Sequence, residues 1–253
     1  MTTVTTVKDI ITTMSRSNLI DLHCHILPGI DDGSKGLEES LRLAQEAIDD
    51  GVRYIVATPH HLDRHYINHA GDVQEAVDTF QAELDQRGLE LTIFAGQEIH
   101  LNGNLDEILP DLLGLDATGK YLLVELPHED VPDYTENLFF RLKLLGITPV
   151  IAHPERNARI QANSELLQGF INNGAMAQVT ATSVVGGFGR KVKKFSRELL
   201  EAGLVHILAS DAHALKGRKF VLREAFEEVA KWDSELAVQL EQNAKQIVNG
   251  ENI

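Results

Sequence analysis

The segment Leu19-Ile20-Asp21-Leu22-His23-Cys24-His25 decides how the rest of this sequence is interpreted. It is a short apolar run interrupted by polar residues, as in a buried β-strand whose successive side chains point to opposite faces. His23 and His25 therefore project from one face and Cys24 from the other. Two imidazoles at this spacing can bind one cation, although such a pair taken alone is equally typical of core or surface histidines.

Further apolar runs of this kind alternate with amphipathic stretches of helical period along the chain. The helical pattern is clearest in three sets with spacings of three and four, namely Leu37, Leu41, Ala44 and Ile48; Val73, Ala76, Val77, Phe80 and Leu84; and Val192, Phe195 and Leu199. Repeated strand–helix units build a parallel sheet, so we expect an α/β protein. The seven predicted strands are residues 19–25, 52–59, 91–98, 121–126, 148–153, 175–179 and 205–210.

Polar side chains fall at or just beyond the carboxyl end of each predicted strand, and this distribution favours a barrel over an open sheet. In a barrel these ends meet at one rim, where barrel enzymes carry their active sites, whereas an open sheet spreads them along an edge. The residues concerned are His23, His25, His60, Glu98, Glu125, His153, Gln178, Asp211 and His213.

Composition narrows the class of protein. The chain has 253 residues, a formal net charge of −15, eleven histidines and a single cysteine. The negative charge argues against a nucleic-acid or anionic-lipid surface. The lone cysteine excludes an intramolecular disulfide framework and indicates a reducing, cytoplasmic location. We expect one domain over residues 20–253, preceded by a leader, residues 1–19, whose apolar runs are too short for a signal peptide or a membrane span.

Histidines and carboxylates gathered at strand ends would be buried charges without partners unless metal ions compensate them. The donors are nitrogen and oxygen only, a set that suits Mn, Fe, Zn or Ni, and the carboxylates favour Mn. The number of candidate ligands fits two or three ions. A carboxylate would then have to bridge two ions, and Glu98 is our choice.

Several segments together resemble the PHP (polymerase and histidinol phosphatase) superfamily, and within it the manganese-dependent bacterial protein-tyrosine phosphatases of the CpsB/CapC/YwqE type. The resemblance runs from about Ile20 to the end of the chain, and the stretch from His23 to Gly33 is specific to that branch. The segments are residues 21–33, 57–61, 96–98, 124–127, 152–156 and 209–218.

This resemblance implies a distorted (β/α)7 barrel with three divalent ions, of which Mn²⁺ is the first choice and Fe, Zn, Mg, Co or Ni are alternatives. It also implies hydrolysis of protein phosphotyrosine, with a bacterial tyrosine kinase of capsular or exopolysaccharide synthesis as the partner. Arg156 and Arg218 match the phosphate-binding arginines of that family. The implied ligand sets are His23, His25, Glu98 and Asp211 for the first ion; Glu98, Glu125 and His153 for the second; and Asp32, His60 and His213 for the third.

Some positions keep an alternative interpretation. Asp31 could replace Asp32 as the ligand, and His61 either reaches the site or supports it from behind. Cys24 is expected to pack in the barrel, because a cysteine phosphatase would need an arginine at position 30, which is Ile30. Phe188 is expected on a flexible loop at the mouth of the site.

Two other functions remain open at this point. One is a small-molecule phosphatase of the histidinol-phosphate kind, and the other is a non-catalytic regulator that keeps the fold.

Overall fold

The computed structural model describes residues 18–253, and all nine strands found there run parallel to their neighbours. Of the predicted leader, residues 1–17 lie outside the described range, and Leu19 is the first residue of the first strand. The strands are β1 (Leu19–Cys24), β2 (Val52–Ala57), β3 (His60–His61), β4 (Thr92–Ala95), β5 (Glu98–His100), β6 (Tyr121–Glu125), β7 (Thr148–Ala152), β8 (Met176–Thr180) and β9 (Ile207–Ala209).

Helices follow most of the strands. The three periodic patterns found in the sequence are confirmed as the helices α1 (Leu37–Asp49), α2 (Ala70–Arg87) and α7 (Arg190–Glu201). Each of them buries some of the apolar side chains that the pattern marked, such as Leu41, Phe80 and Leu199. Gly88 ends α2 with a φ of 67°, the left-handed value that favours glycine at this point. The helices are α1 (Leu37–Asp49), α2 (Ala70–Arg87), α3 (Thr135–Leu144), α4 (Ala158–Ala162), α5 (Glu165–Asn172), α6 (Ala181–Val185), α7 (Arg190–Glu201), α8 (Leu222–Ala230) and α9 (Ser234–Val248).

The prediction of seven uninterrupted strands is wrong at two places. The second predicted strand breaks after Ala57 into β2 and β3, and the third breaks after Ala95 into β4 and β5. Pro59 has no N–H group to continue a ladder, which interrupts the first of these. At the second break, the backbone of Gly96 lies so close to Val56 of β2 that a Cβ atom on residue 96 would be 2.5 Å from Cγ1 of Val56. The chain nevertheless continues in the same direction, because Glu98 N–H donates to the Pro59 carbonyl at 3.1 Å.

The strand positions follow one another around a distorted (β/α)7 barrel. The ladders run in the orders β1-β2-β4 and β3-β5-β6-β7-β8-β9, and β2 and β4 lead directly into β3 and β5. The first and last strands meet through backbone hydrogen bonds. Asp211 N–H donates to the His23 carbonyl at 2.8 Å, and His25 N–H donates to the Ala212 carbonyl at 2.9 Å.

An apolar cluster stabilises the seam between the two ends of the chain. Ile20 and Leu22 of β1 pack in one cluster with Ile207 of β9 and with Ala244 and Ile247 of α9. Full burial of each large aliphatic side chain stabilises the fold by about 1.5–3 kcal/mol. The seam therefore rigidly supports the polar residues that follow β1 and β9.

Within residues 18–253, no helix is both long enough and apolar enough to cross a membrane.

Candidate metal centre and active site

The side chains predicted as metal ligands lie together at the carboxyl ends of the strands. His23 and His25 lie at the end of β1, His60 begins β3, Glu98 begins β5 and Glu125 ends β6. The other four lie in loops, namely Asp32 between β1 and α1, His153 directly after β7, and Asp211 and His213 just after β9.

Glu98 stands at the centre of this cluster and is fully buried. Its Oε2 atom lies 3.2 Å from Nε2 of both His23 and His25 and 3.1 Å from Nδ1 of His60. Its Oε1 atom lies 2.8 Å from Nε2 of His153. One carboxylate thus faces four imidazoles with its two oxygen atoms, which is the arrangement that a bridging ligand requires.

A second group of donors surrounds Asp32. Its Oδ1 atom lies 3.3 Å from Nε2 of His60 and 3.3 Å from Nε2 of His213. His25 offers a further donor, and one ligand atom from each of these four residues falls within 4.8 Å of all the others. Asp32 is 45% exposed, so this group lies at the open side of the cluster.

Asp31 takes a different position from Asp32. It accepts a hydrogen bond from the backbone N–H of Gly33 at 2.9 Å, and its Oδ2 atom lies 2.7 Å from Nδ1 of His25. Gly33 lies so close to His25 that a Cβ atom would be 2.3 Å from the His25 carbonyl oxygen. The tight loop therefore turns the Asp31 carboxylate toward the back of the His25 ring and leaves Asp32 facing His60 and His213.

Asp211 connects the cluster to both arginines that were predicted to bind phosphate. Arg156 donates from Nη2 to its Oδ2 atom at 2.5 Å, and Arg218 donates from Nη2 to its Oδ1 atom at 2.5 Å. The Nε groups of both arginines are buried and have no hydrogen-bond partner in residues 18–253. Asp211 and His153 have φ values of 52° and 35°, which are unusual for residues other than glycine and store backbone strain at the site.

Glu125 borders the cluster on the β6 side. Its Oε1 atom lies 3.7 Å from Nε2 of His153, and its Oε2 atom lies 3.9 Å from Nδ1 of His60. Glu125, Glu98 and His60 form one compact group of donors. The implied set of Glu98, Glu125 and His153 is therefore close in space, with His60 as an additional neighbour.

Burial and neighbouring charges shift the pKa values of the cluster. Burial lowers the pKa of His23, but the carboxylates of Glu98 and Asp211 outweigh it and raise this pKa to about 9. The pKa of His60 rises to about 10 against the same burial effect, mainly because of Glu98. Burial and the neighbouring His25 lower the pKa of His213 to about 4. Concentrated negative charge here stabilises cations, which is what a divalent metal site needs.

Buried ligand atoms without hydrogen bonds also indicate that the donor set suits divalent ions. Several buried ligand atoms lack any hydrogen bond of acceptable geometry within the described part of the chain, although polar groups buried this deeply normally have one. Each of these atoms points toward the other candidate ligands. They are His60 Nδ1, Glu98 Oε2 and His213 Nε2.

Gln178 is a supporting residue whose role the sequence did not indicate. Its Oε1 atom lies 2.9 Å from Nδ1 of His23 and so leaves Nε2 of that ring toward Glu98. Its position near the end of the predicted strand, residues 175–179, was visible in the sequence, and the structure places it in the middle of β8. Its contact with His23 could not be predicted from the sequence, because the two residues are 155 positions apart.

Glu155 is a second residue that the sequence did not single out. It is fully buried and accepts hydrogen bonds from the Thr180 N–H at 3.1 Å and the Ser183 hydroxyl at 2.6 Å. Glu155 precedes Arg156 in a single turn of 3-10 helix, so these hydrogen bonds fix the backbone position from which the Arg156 side chain extends.

Three further histidines and the cysteine lie near the cluster. His61 is fully buried on the side of Asp111, 3.9 Å from its carboxylate. His100 and His128 approach Glu125 at 3.3 and 3.9 Å, so they border the site. Cys24 is buried, and burial raises the pKa of its thiol, as expected for a packing residue.

Comparison with known proteins identifies the family of this chain. The family described as "Capsular polysaccharide synthesis, CpsB/CapC" matches residues 19–249. Tyrosine-protein phosphatase YwqE of Bacillus subtilis (strain 168) is 42% identical over 238 residues, covering 93% of each chain. Tyrosine-protein phosphatase CpsB of Streptococcus agalactiae is 32% identical over 220 residues, covering 84% of this chain and 90% of its own.

A solved structure gives the same result. It is described as one of the structures of YwqE from Bacillus subtilis and CpsB from Streptococcus pneumoniae, metal-dependent tyrosine phosphatases. It superimposes with a TM-score of 0.90 at 42% identity and covers 93% of this chain and 96% of its own. The chain therefore belongs to the CpsB/CapC family of capsular polysaccharide synthesis proteins.

Proposed function

We propose that this chain is a metal-dependent phosphomonoesterase that hydrolyses phosphotyrosine on protein. The observation that carries the proposal is the meeting of the Glu98 imidazole cluster with Arg156 and Arg218 at Asp211. Metal ligands and guanidinium groups at one rim suit a phosphate monoester, because both neutralise phosphate oxygens. The names of YwqE and CpsB, relatives that align over most of this chain, support a phosphotyrosyl substrate.

In this proposal three divalent ions, preferably Mn²⁺, bind the predicted ligands. His23, His25, Glu98 and Asp211 would hold the first ion; Glu98, Glu125 and His153 would hold the second; and Asp32, His60 and His213 would hold the third. Fe, Zn, Mg, Co or Ni would suit the same nitrogen and oxygen donors. Such ions would supply positive charge to neutralise phosphate oxygens and would lower the pKa of a bound water molecule.

Arg156 and Arg218 are the residues that we assign to binding the phosphoryl oxygens. Each guanidinium already donates from Nη2 to Asp211, and each keeps a buried Nε group without a partner in residues 18–253. A phosphate oxygen is a suitable acceptor for these groups, since a guanidinium offers parallel donors in a fixed plane. Arginine suits this role better than lysine, whose ammonium group is a point charge.

Gln178 and Asp31 hold two of the ligand rings by the nitrogen that faces away from Glu98. A tyrosine phenolate leaves with a pKa of about 10, so it needs less acid assistance than an alkoxide would. We accordingly assign no residue as a general acid.

We further propose a bacterial tyrosine kinase of capsular or exopolysaccharide synthesis as the phosphorylated partner, and the cytoplasm as the location. The family description names capsular polysaccharide synthesis, and a chain with one buried cysteine suits a reducing compartment.

The test is hydrolysis of a phosphotyrosyl peptide by purified protein, before and after chelation and after addition of Mn²⁺, with the bound metal measured in the same samples. We expect chelation to abolish hydrolysis and Mn²⁺ to restore it. Full activity of metal-free protein would contradict the proposal.

In a parallel substrate panel, a higher kcat/KM for histidinol phosphate than for the peptide would favour the small-molecule alternative, and no hydrolysis of either would favour a regulator.

A further inference from the structure

A turn bounded by glycines brings one aromatic ring to the candidate phosphate site. Gly186 and Gly189 have φ values of 94° and 93°, in the left-handed region that favours glycine. A Cβ atom on Gly187 would lie 2.5 Å from Cγ2 of Thr182, so this position also requires glycine. The turn between α6 and α7 therefore presents a single side chain, Phe188.

The Phe188 ring lies against Arg156. Its centroid is 5.2 Å from Cζ of the guanidinium, within the distance of about 6 Å typical of cation–π contacts. Helix α7 begins two residues after Phe188 and packs against the Pro154–Arg156 turn, which keeps the ring on this side of the site. The ring is only partly buried, so one part of it remains open to a ligand beside Arg156.

We propose that Phe188 determines specificity by packing against the aryl group of the substrate. The proposal rests on the proposed function, because it takes Arg156 as a phosphate-binding residue. A phosphate held by Arg156 places its ester group a few ångströms from the guanidinium, and hence close to Phe188. An aryl ring on that ester can then reach the centroid distance of about 4.5–7 Å at which aromatic rings attract each other.

An aliphatic phosphomonoester has no ring with which to make this contact. The structure thus links recognition of the phosphate to recognition of an aromatic leaving group through two adjacent side chains. Phosphate binding alone would not distinguish phosphotyrosine from phosphoserine, whereas the Phe188 contact does.

Phe188 could instead act only by holding Arg156, and inhibitors without a leaving group separate the two roles. Phenylphosphonate and methylphosphonate carry the same phosphonate group and differ in the ring. If Phe188 only positions Arg156, its loss weakens both inhibitors alike. If Phe188 packs against the ring, its loss weakens phenylphosphonate alone.

The experiment measures the inhibition constants of both phosphonates against a phosphotyrosyl peptide, using Mn²⁺-supplemented wild type, Phe188→Leu, Phe188→Tyr and Phe140→Leu. Phe140 is a matched control because it is 58% exposed on α3, outside the site. We expect Phe188→Leu to weaken phenylphosphonate relative to methylphosphonate by roughly three- to tenfold, the range of aromatic pair contributions. Phe188→Tyr should keep the wild-type ratio, and Phe140→Leu should leave it unchanged.

A ratio in Phe188→Leu equal to that of wild type, or a parallel rise of both inhibition constants, would overturn the proposal. If Phe188→Leu melts at a clearly lower temperature than wild type, Phe188→Val replaces it with the same expectation. Failure of the proposed function gives a different result, since wild type would then not hydrolyse the phosphotyrosyl peptide at all.

Discussion

Oδ2 of Asp31 lies 2.7 Å from Nδ1 of His25, while Nε2 of the same ring lies 3.2 Å from Oε2 of Glu98. The Asp31 carboxylate therefore fixes which ring nitrogen carries the proton and directs the other toward the cluster. The two neighbouring acidic residues of this loop thus have separate tasks, because Asp32 lies between His60 and His213.

Replacement of Asp31 by Asn should weaken metal binding without removing a ligand. Loss of such a supporting carboxylate lowers metal affinity by about 10- to 100-fold, because the ring loses its fixed orientation. We expect Asp31→Asn to need correspondingly more Mn²⁺ for half-maximal hydrolysis, with a smaller change at saturating metal. Asp85→Asn, an exposed aspartate in α2, is the control. Unchanged Mn²⁺ dependence of Asp31→Asn would show that the His25 contact has no influence on metal binding.

Replacement of Arg156 or Arg218 by Lys should lower kcat/KM even though the charge is kept. The lysine cannot donate from Nη2 to Asp211 and from a second nitrogen to phosphate in one plane. A lost hydrogen bond between charged groups corresponds to about 1.5–3 kcal/mol, so we expect roughly a 10- to 100-fold decrease. Arg197→Lys, whose guanidinium lies over Trp232 away from the site, should keep wild-type kinetics. Steady-state rates that are equal in all variants would exclude the phosphate-binding role.

Gly33 should not tolerate a methyl group, because the new Cβ atom would lie 2.3 Å from the His25 carbonyl oxygen. Forcing the loop apart should cost about 1–3 kcal/mol of unfolding free energy and displace Asp31 and His25. Gly71→Ala is the matched control, since nothing lies within 4 Å of its Cβ position in α2. That substitution should stabilise the protein by about 0.4–1 kcal/mol, because alanine has less conformational freedom than glycine in the unfolded chain. Denaturant unfolding of both variants measures these changes, and equal stability of Gly33→Ala and wild type would refute the close contact.

His206 should make stability depend on pH outside the active site. Burial lowers its pKa below the usual 6.5, and its Nδ1 atom accepts the Ala177 N–H at 3.3 Å only when the ring is neutral. Because the pKa of His206 is lower in the folded than in the unfolded protein, the stabilisation that neutral His206 gives to the fold is complete above pH 6.5. It is lost as the pH falls from there through the folded pKa, at about 1.4 kcal/mol per pH unit at most.

We therefore expect the unfolding free energy of wild type relative to His206→Asn to be constant above pH 7 and to decrease below pH 6.5. Urea unfolding at a series of pH values measures this difference, in which the titrations common to both proteins cancel. A difference that stays constant down to pH 5 would contradict the burial of a neutral His206.

Residue pattern alone predicted the alternation of strands and helices and the position of the site at the strand ends. Both depend on local periodicity, which is why His23, Glu98 and His153 could be assigned to one rim from their positions in the sequence. The breaks beside Pro59 and Gly96 were missed because both residues lie within apolar runs that otherwise fit one continuous strand. The roles of Gln178 and Asp31 could not be predicted, because they depend on ring orientation and on contacts made only after the barrel closes.

The seam between β1 and β9 joins a segment that is synthesised early with one that is synthesised late. Asp21 and Ser210, which share a hydrogen bond there, are 189 positions apart, and the candidate ligands at the seam lie within a few residues of each. A ribosome releases the amino-terminal histidines long before Asp211 and His213 emerge. The candidate site is consequently complete only when almost the whole chain has been made, and a polypeptide truncated before β9 would lack both Asp211 and His213.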